Sequence, residues 1–302
     1  MSRNVWTFKS ISRLVALCAA VVAATAGASA QSQPTTDRHE DKPAPGATPS
    51  PTPSRERRFF ADILRDQRAI WTSPFRLGRD DAKWLVPLGL AAGVLVASDR
   101  HIAGALDDSG TQVRVGEAVS KLGSFYTVTG ASAVLYAFGR YRGKTRARET
   151  AMLGFEALAN GVIVYSVLKA ATQRPRPLVG DRRGRFFDGG NSFPSAHTFH
   201  AWALAAVVAN QYGDKPAVRF VAYGLATTVG VARVLARKHF PSDVLIGGAL
   251  GYGIGRYVYR ANQPGGGSSS GGGSQPSTLL PEIAPSYDRR SRAYGLRLTW
   301  GF

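Results

Sequence analysis

Between Arg57 and Arg260 long apolar segments alternate with short connectors rich in Arg, Gly or Pro, and this alternation leaves little room for anything but a helical bundle. The segments run from about Trp84 to Ala97, Ser124 to Phe138, Arg148 to Lys169, His197 to Tyr212, Val218 to Arg237 and Asp243 to Tyr259. Each exceeds the roughly four to eight residues of a buried strand, and their character is helical throughout. The expected fold is therefore all-α, with about six main helices preceded by an amphipathic one near Phe59 to Arg68.

Low-complexity stretches bound this domain on both sides. Residues 31–56, with TPSPTPS near their end, are rich in Pro, Ser, Thr and charge and have nothing to bury, so they read as a disordered tether. GGGSSSGGGS lies inside a flexible linker spanning 261–278. The last stretch, 279–302, ends with Tyr294, Leu296, Leu298, Trp300 and Phe302 alternating with Gly295, Arg297, Thr299 and Gly301, the pattern of a β-strand. It looks like the closing strand of an outer-membrane barrel. One strand cannot close a barrel, however, and the rest of the chain offers no partner, so a strand docked on the protein's own apolar surface or left partly ordered is expected.

At the other end Arg3, Lys9 and Arg13 precede an apolar run from Leu14 to Ala24, with Ala28-Ser29-Ala30 following. Residues 1–30 thus read as an export signal, and Cys18, the only cysteine, would leave with it. A net charge of +18 calls for an anionic partner. The basic residues are scattered and form no nucleic-acid module, so a membrane surface or a phosphorylated substrate is the expected partner.

Three short runs carry the chemistry. In the first, Lys169 closes a helix and Arg176-Pro177 follows after a six-residue gap, on the next turn. Either residue alone has an ordinary structural explanation, and Arg174-Pro175 is a decoy distinguished only by its spacing from Lys169. In the second run Pro194-Ser195-Ala196-His197 opens an apolar helix, which makes Ser195 a natural N-cap and gives an anion free backbone N–H groups. In the third, Arg233 precedes His239, and Asp243 stands four residues further on, spaced to accept the imidazole Nδ1–H. Simple helix capping by Asp243 explains that spacing equally well. The glycines after Asp243 permit close helix packing, and Arg237 and Lys238 read as solvated neighbours.

Taken together and in this order, the three runs resemble the type 2 phosphatidic acid phosphatase family, which also includes bacterial class A acid phosphatases and vanadium haloperoxidases. The resemblance covers about residues 84–260 and implies an all-α bundle with its site at the helix ends. It implies that Lys169, Arg176 and Arg233 hold phosphate, with Ser195 and the amide of Ala196 as further donors. His239 corresponds to the nucleophile that forms phosphohistidine, Asp243 to its partner, and His197 to the acid that protonates the leaving oxygen. Ala196 departs from the usual Gly and Ala232 from the Ser that often precedes the arginine. The added methyl at 196 is expected to crowd the ligand.

The resulting expectation is a periplasmic, metal-independent phosphatase acting on phosphate monoesters or pyrophosphates of membrane lipids. It needs no cofactor, with vanadate as an inhibitor. A vanadium-dependent haloperoxidase using vanadate as cofactor, a soluble acid phosphatase and a non-catalytic envelope-binding module stay open, as does the oligomeric state. The loop from Leu178 to Phe193, with Arg182, Arg183, Arg185, Phe186 and Phe187, is a candidate cover for the pocket. The first apolar segment, about fourteen residues with Pro87 inside, is too short to span a bilayer. The connector holding Arg140, Arg142, Lys144, Arg146 and Arg148 suits the cytoplasm, which leaves the site in the periplasm. Glu156, Asn160, Arg219 and Arg233 within the later segments equally suit a soluble or peripheral bundle.

Overall fold

The computed structural model describes residues 55–106, 109–179 and 183–263 and the backbone of strands at 282–288 and 293–299. Among the described residues there are eight α-helices: α1 (Arg55–Thr72), α2 (Arg79–Ala105), α3 (Gly110–Ser120), α4 (Phe125–Tyr141), α5 (Thr145–Thr172), α6 (Ala196–Gln211), α7 (Pro216–Leu235) and α8 (Pro241–Ala261). Short 3-10 turns occupy Ser73–Arg76 and Lys121–Gly123. Contacts divide the chain after Phe60, and everything below concerns the unit that begins at Ala61. The expected export signal, the expected tether up to residue 54 and the Gly/Ser linker from residue 264 lie outside the described residues, while Ala261 ends α8 and Asn262 caps it.

Six helices occupy the six apolar segments, and the amphipathic helix is α1. Two features differ from expectation. The first apolar segment is the middle of a 27-residue helix, because polar turns extend it at both ends. At its start the Asp81 carboxylate accepts the Gly78 N–H at 2.8 Å and closes the helix N-terminus. Pro87 is accommodated inside. The second feature is α3, whose mixed sequence GTQVRVGEAVS gave no apolar signal; Ser109 caps it by accepting from the Gln112 N–H.

The core lies where α5, α6 and α8 meet. Leu153, Ala157, Val162, Val164 and Tyr165 pack with Phe199, Ala203 and Val207 and with Ile254 and Val258. Glycines allow the approach, as the sequence led us to expect. Gly247, Gly251 and Gly255 recur every four residues on the face of α8 that meets α6. A Cβ added there would lie 2.6 Å from the Ser195 carbonyl oxygen, 2.3 Å from that of Phe199 and 2.4 Å from that of Ala203. Those distances are far below van der Waals contact, so the two backbones touch directly. The contact seats the N-terminus of α8, with Asp243, against the N-terminus of α6. Replacing Gly251 by Ala is expected to force the helices apart at a cost of about 1–3 kcal/mol. A thermal midpoint equal to that of the parent chain would contradict this packing.

Helices α2, α5 and α7 are long and apolar enough to cross a membrane, with mean hydropathies of 1.3, 1.6 and 1.4. The ground for setting the first segment aside, its length, is therefore gone. Glu156 and Asn160 no longer argue for a soluble bundle either, because both are buried and hydrogen-bonded inside the protein.

The C-terminal strand does have a partner. β1 (Glu282–Asp288) and β2 (Ala293–Thr299) pair antiparallel, with Glu282 opposite Thr299 and Tyr287 opposite Tyr294. Pro285 in the middle of β1 hides it from a sequence reading, since proline usually demotes a run as a strand. Trp300 and Phe302 lie outside the described residues.

Candidate active site

All three runs come together at one end of the bundle, where α5 and α7 finish and α6 and α8 begin. Lys169 sits in the last turn of α5 and donates through Nζ to the carbonyls of Asn191 (2.6 Å) and Pro194 (2.7 Å). It thereby ties the loop that enters α6. The same loop folds back on the end of α5, with Phe187 N–H donating to the Thr172 carbonyl and Ser192 N–H to that of Arg174, each at 2.7 Å. Gly190 is needed at this crossing because a Cβ would stand 2.2 Å from the Arg174 carbonyl oxygen. The segment expected to cover the pocket is thus fastened down over residues 183–193. Arg182 lies outside the described residues.

Asp243 is the hub. Its Oδ1 accepts from the Arg174 guanidinium at 2.7 Å, and its Oδ2 accepts from the Phe240 N–H at 2.9 Å and the Ser192 hydroxyl at 2.5 Å. Burial opposes the charge, but His239, Arg174 and Ser192 outweigh it and hold the carboxyl below its ordinary range. His239 Nδ1 lies 3.6 Å from Oδ2 and 3.3 Å from the Ser192 oxygen. The four-residue spacing therefore brings the pair together, with Ser192 as intermediary. Ser192 commits its one proton to Asp243, so its oxygen accepts from the imidazole. That places the proton on Nδ1 and leaves Nε2 with a free lone pair. Burial pushes His239 down to about 4 against the pull of Asp243, which keeps it neutral at physiological pH.

Arg174, read from its spacing as a decoy, organises this cluster. It is 1% exposed and lies between two rings, 4.3 Å from the Phe240 centroid and 4.8 Å from that of Phe186. Nε donates to the Gly184 carbonyl, one terminal nitrogen also to the Ser242 hydroxyl, and the other to Asp99 at 2.7 Å. Asp99 accepts the Ser242 N–H as well, and Ser242 donates its hydroxyl to the same carboxylate. The buried chain Asp99–Arg174–Asp243 thus joins α2 to the start of α8.

Arg176 and Arg233 form the cationic side. Each keeps a buried Nε–H with no acceptor among the described residues, while Arg233 spends a terminal N–H on Ser120 at 3.2 Å. Burial lowers the pKa of Arg176, opposed by Asp243. His197, half-buried in the first turn of α6, is lowered to about 3, first by burial and then by Arg233, His200, His239 and Arg176. Those fields mark the four groups as neighbours of His197.

Two expectations fail here. Ser195 stands at the N-cap position but makes no capping bond through its side chain; the fully buried hydroxyl pairs with that of Thr198 at 2.9 Å. Its N–H donates instead to the Asp243 carbonyl, which locks α6 to α8. Arg237 is not solvated: it is buried and donates to the Leu106 carbonyl at 2.7 Å, while Lys238 pairs with Glu117. Ala196 packs its methyl against the core. Ser192, Arg174, Asp99 and Ser120 escaped the sequence reading; a serine three residues before Ser195 and the repeated Arg-Pro were the available signals.

Residues 150–265, which contain every candidate site residue named from the three runs, match the model of the PAP2 superfamily. Lipid A 1-phosphatase of Porphyromonas gingivalis is 37% identical over 70 residues, covering 23% of this chain and 16% of that protein. Probable diacylglycerol pyrophosphate phosphatase 1 of Schizosaccharomyces pombe is 28% identical over 164 residues, covering 42% of this chain and 58% of that protein. The chain thus spans less than two thirds of either relative. Among solved structures, Aquifex aeolicus LpxE matches with 25% identity and a TM-score of 0.42 over 53% of this chain and 91% of its own. The first transmembrane PAP2 type phosphatidylglycerolphosphate phosphatase, from Bacillus subtilis, matches with 24% identity and a TM-score of 0.45 over 58% and 94%.

Proposed function

From residues 150–265, which match the model of the PAP2 superfamily, we propose that this chain is a membrane lipid phosphatase working through a phosphohistidine. The observation that carries the reading is the pair of buried, acceptor-free guanidinium N–H groups on Arg176 and Arg233 beside an imidazole whose Nε2 is held unprotonated. Buried donors normally find acceptors, and an anionic phosphoryl group supplies them. Lys169 retains donor capacity beyond its two loop carbonyls, and the N-terminus of α6 adds the amide of Ala196.

The steps follow from these positions. Nε2 of His239 forms a P–N bond as the P–O bond to the leaving group breaks, and His197 delivers a proton to the departing oxygen. Burial and the positive field together keep His197 neutral in the free protein, and a bound phosphate dianion opposes both and favours the charged acid. Water then attacks phosphorus, gives its proton to His197 and releases inorganic phosphate, regenerating His239. The three cations neutralise the equatorial oxygens throughout, so the proposal is metal-independent. Short-chain phosphatidic acid and an isoprenyl pyrophosphate are expected to release phosphate faster than p-nitrophenyl phosphate does. EDTA leaves the rate unchanged and vanadate inhibits. Cleavage of p-nitrophenyl phosphate alone would overturn the lipid reading.

The protein's response to acid follows from the same burial. His197 and His239, beside the site, have folded values of about 3 and 4, below the ordinary value for histidine. As pH falls below about 6.5 the unfolded chain takes up protons that the folded chain refuses. Stability contributed by these groups is therefore complete above that pH and lost between about 6.5 and 3. The thermal midpoint is expected to fall steadily across that window; a midpoint that rises on acidification contradicts the buried neutral histidines.

The distribution of charge supports a periplasmic site. The end of the bundle away from the site carries the α4–α5 connector, whose Arg146 reaches the Gln211 carbonyl and Asp214 at the α6–α7 turn. Lys215, Arg219, Arg256 and Arg260 lie toward the same end. A basic end belongs in the cytoplasm, which leaves the site on the opposite face. With α2 crossing the membrane, a cleaved export signal would instead bring the site inside, so we follow the charge and read the N-terminus of α2 as cytoplasmic.

A further inference from the structure

We propose that α1 is an interfacial helix whose outer face lies among the anionic headgroups of the leaflet opposite the site; this rests on the membrane reading above and not on the catalytic one. The amphipathicity of α1 is inverted. Between Ala61 and Arg79 the only carboxylates are Asp62 and Asp66, and both point inward, 5% and 0% exposed. Asp66 accepts from Asn160 at 3.0 Å and from the Tyr257 hydroxyl at 3.2 Å, and Gln67 donates to the Asn160 side chain at 2.8 Å. A polar face thus fastens α1 to α5 and α8.

What remains outside is apolar and basic. Leu64 is 73% exposed and Phe75 72%, with Trp71 between them and Arg68, Arg76 and Arg79 alongside, while Arg65 turns its guanidinium to Asp62 and Asp66. The Trp71 indole N–H is already satisfied by Gln67 at 2.9 Å, so its ring can enter an apolar layer. In water this arrangement would leave apolar side chains wet and bury carboxylates, the reverse of a soluble surface helix. A headgroup layer suits both parts, with acyl boundary for Leu64, Trp71 and Phe75 and lipid phosphates for the arginines.

The position along the bundle agrees. α2 begins at Arg79 directly after the 3-10 turn, and its apolar stretch starts at Trp84. Twenty residues separate Arg79 from Asp99 at the site, about 30 Å of helix and the thickness of a hydrocarbon core. The corner between α1 and α2 therefore falls at the far membrane boundary.

The test uses the full chain with Cys18→Ser and a single spin label at Leu64→Cys or Phe75→Cys, in nanodiscs of phosphatidylethanolamine and phosphatidylglycerol holding one copy. Lys144→Cys, exposed on a basic connector, gives the aqueous reference. The expected result is several-fold less relaxation by an aqueous nickel chelate than at 144, with relaxation by oxygen increased. Protection at 64 and 75 should weaken in pure phosphatidylcholine, and in an Arg68→Gln/Arg76→Gln background. Chelate access equal to that at 144 overturns the proposal, as does protection from both reagents with dipolar broadening between labels, the sign of a second copy. Equal protection in both lipids overturns the anionic preference. No outcome depends on enzymatic activity, so failure here is distinct from failure of the phosphatase reading.

Discussion

His239→Ala is expected to abolish phosphate release from every substrate, a loss on the order of 10⁴-fold or more, because the variant has no atom with which to form the P–N bond. Lys169, Arg176 and Arg233 remain, so the variant still binds the phosphate group and KM changes far less than kcat. His197→Ala behaves differently. Attack by His239 is intact there, but the water that must cleave the intermediate lacks its base, so the phosphorylated protein accumulates. Normal turnover by the His239 variant removes the nucleophile from the account.

Arg174→Ala is expected to be the most destabilising single change in the site. The guanidinium is the shared counter-charge of Asp99 and Asp243, and removing it leaves two buried carboxylates without a cation. Breaking a buried pair in this way costs about 3–5 kcal/mol. The measurement is the denaturation midpoint in detergent, combined with kcat. Arg174→Lys is expected to recover part of the stability, but not the fork that reaches Asp99, Ser242 and Asp243 together. If the alanine variant keeps the parent midpoint, the Asp99–Arg174–Asp243 chain does not hold α2 to α8.

The helices were legible in the sequence because apolar segments separated by Gly, Pro and Arg admit few alternatives, and the positions of the candidate site residues because their spacing places each beside a helix end. What was hidden depends on distant partners. Nothing near Arg174 announces that Asp99, 75 residues earlier, shares its guanidinium. Ser192 gains its meaning only when the loop brings it between His239 and Asp243. Arg237 looked solvated because its acceptor, the Leu106 carbonyl, belongs to the end of a different helix. The length of α2 was underestimated for a local reason: its charged ends continue the helix beyond the apolar run. Ser195 shows the opposite failure, since a residue in the right place for a cap gave its hydroxyl to Thr198 instead.

The central claim is that phosphorus is transferred to His239, and trapping the intermediate tests it most directly. The chain is mixed with a ³²P-labelled lipid phosphate, quenched in alkali and digested, and the labelled peptide is sequenced. The expected result is an acid-labile, alkali-stable label on the peptide containing His239, stronger in His197→Ala and absent from His239→Ala. Label on any other residue, or turnover with no label retained in either the parent or His197→Ala, contradicts the account.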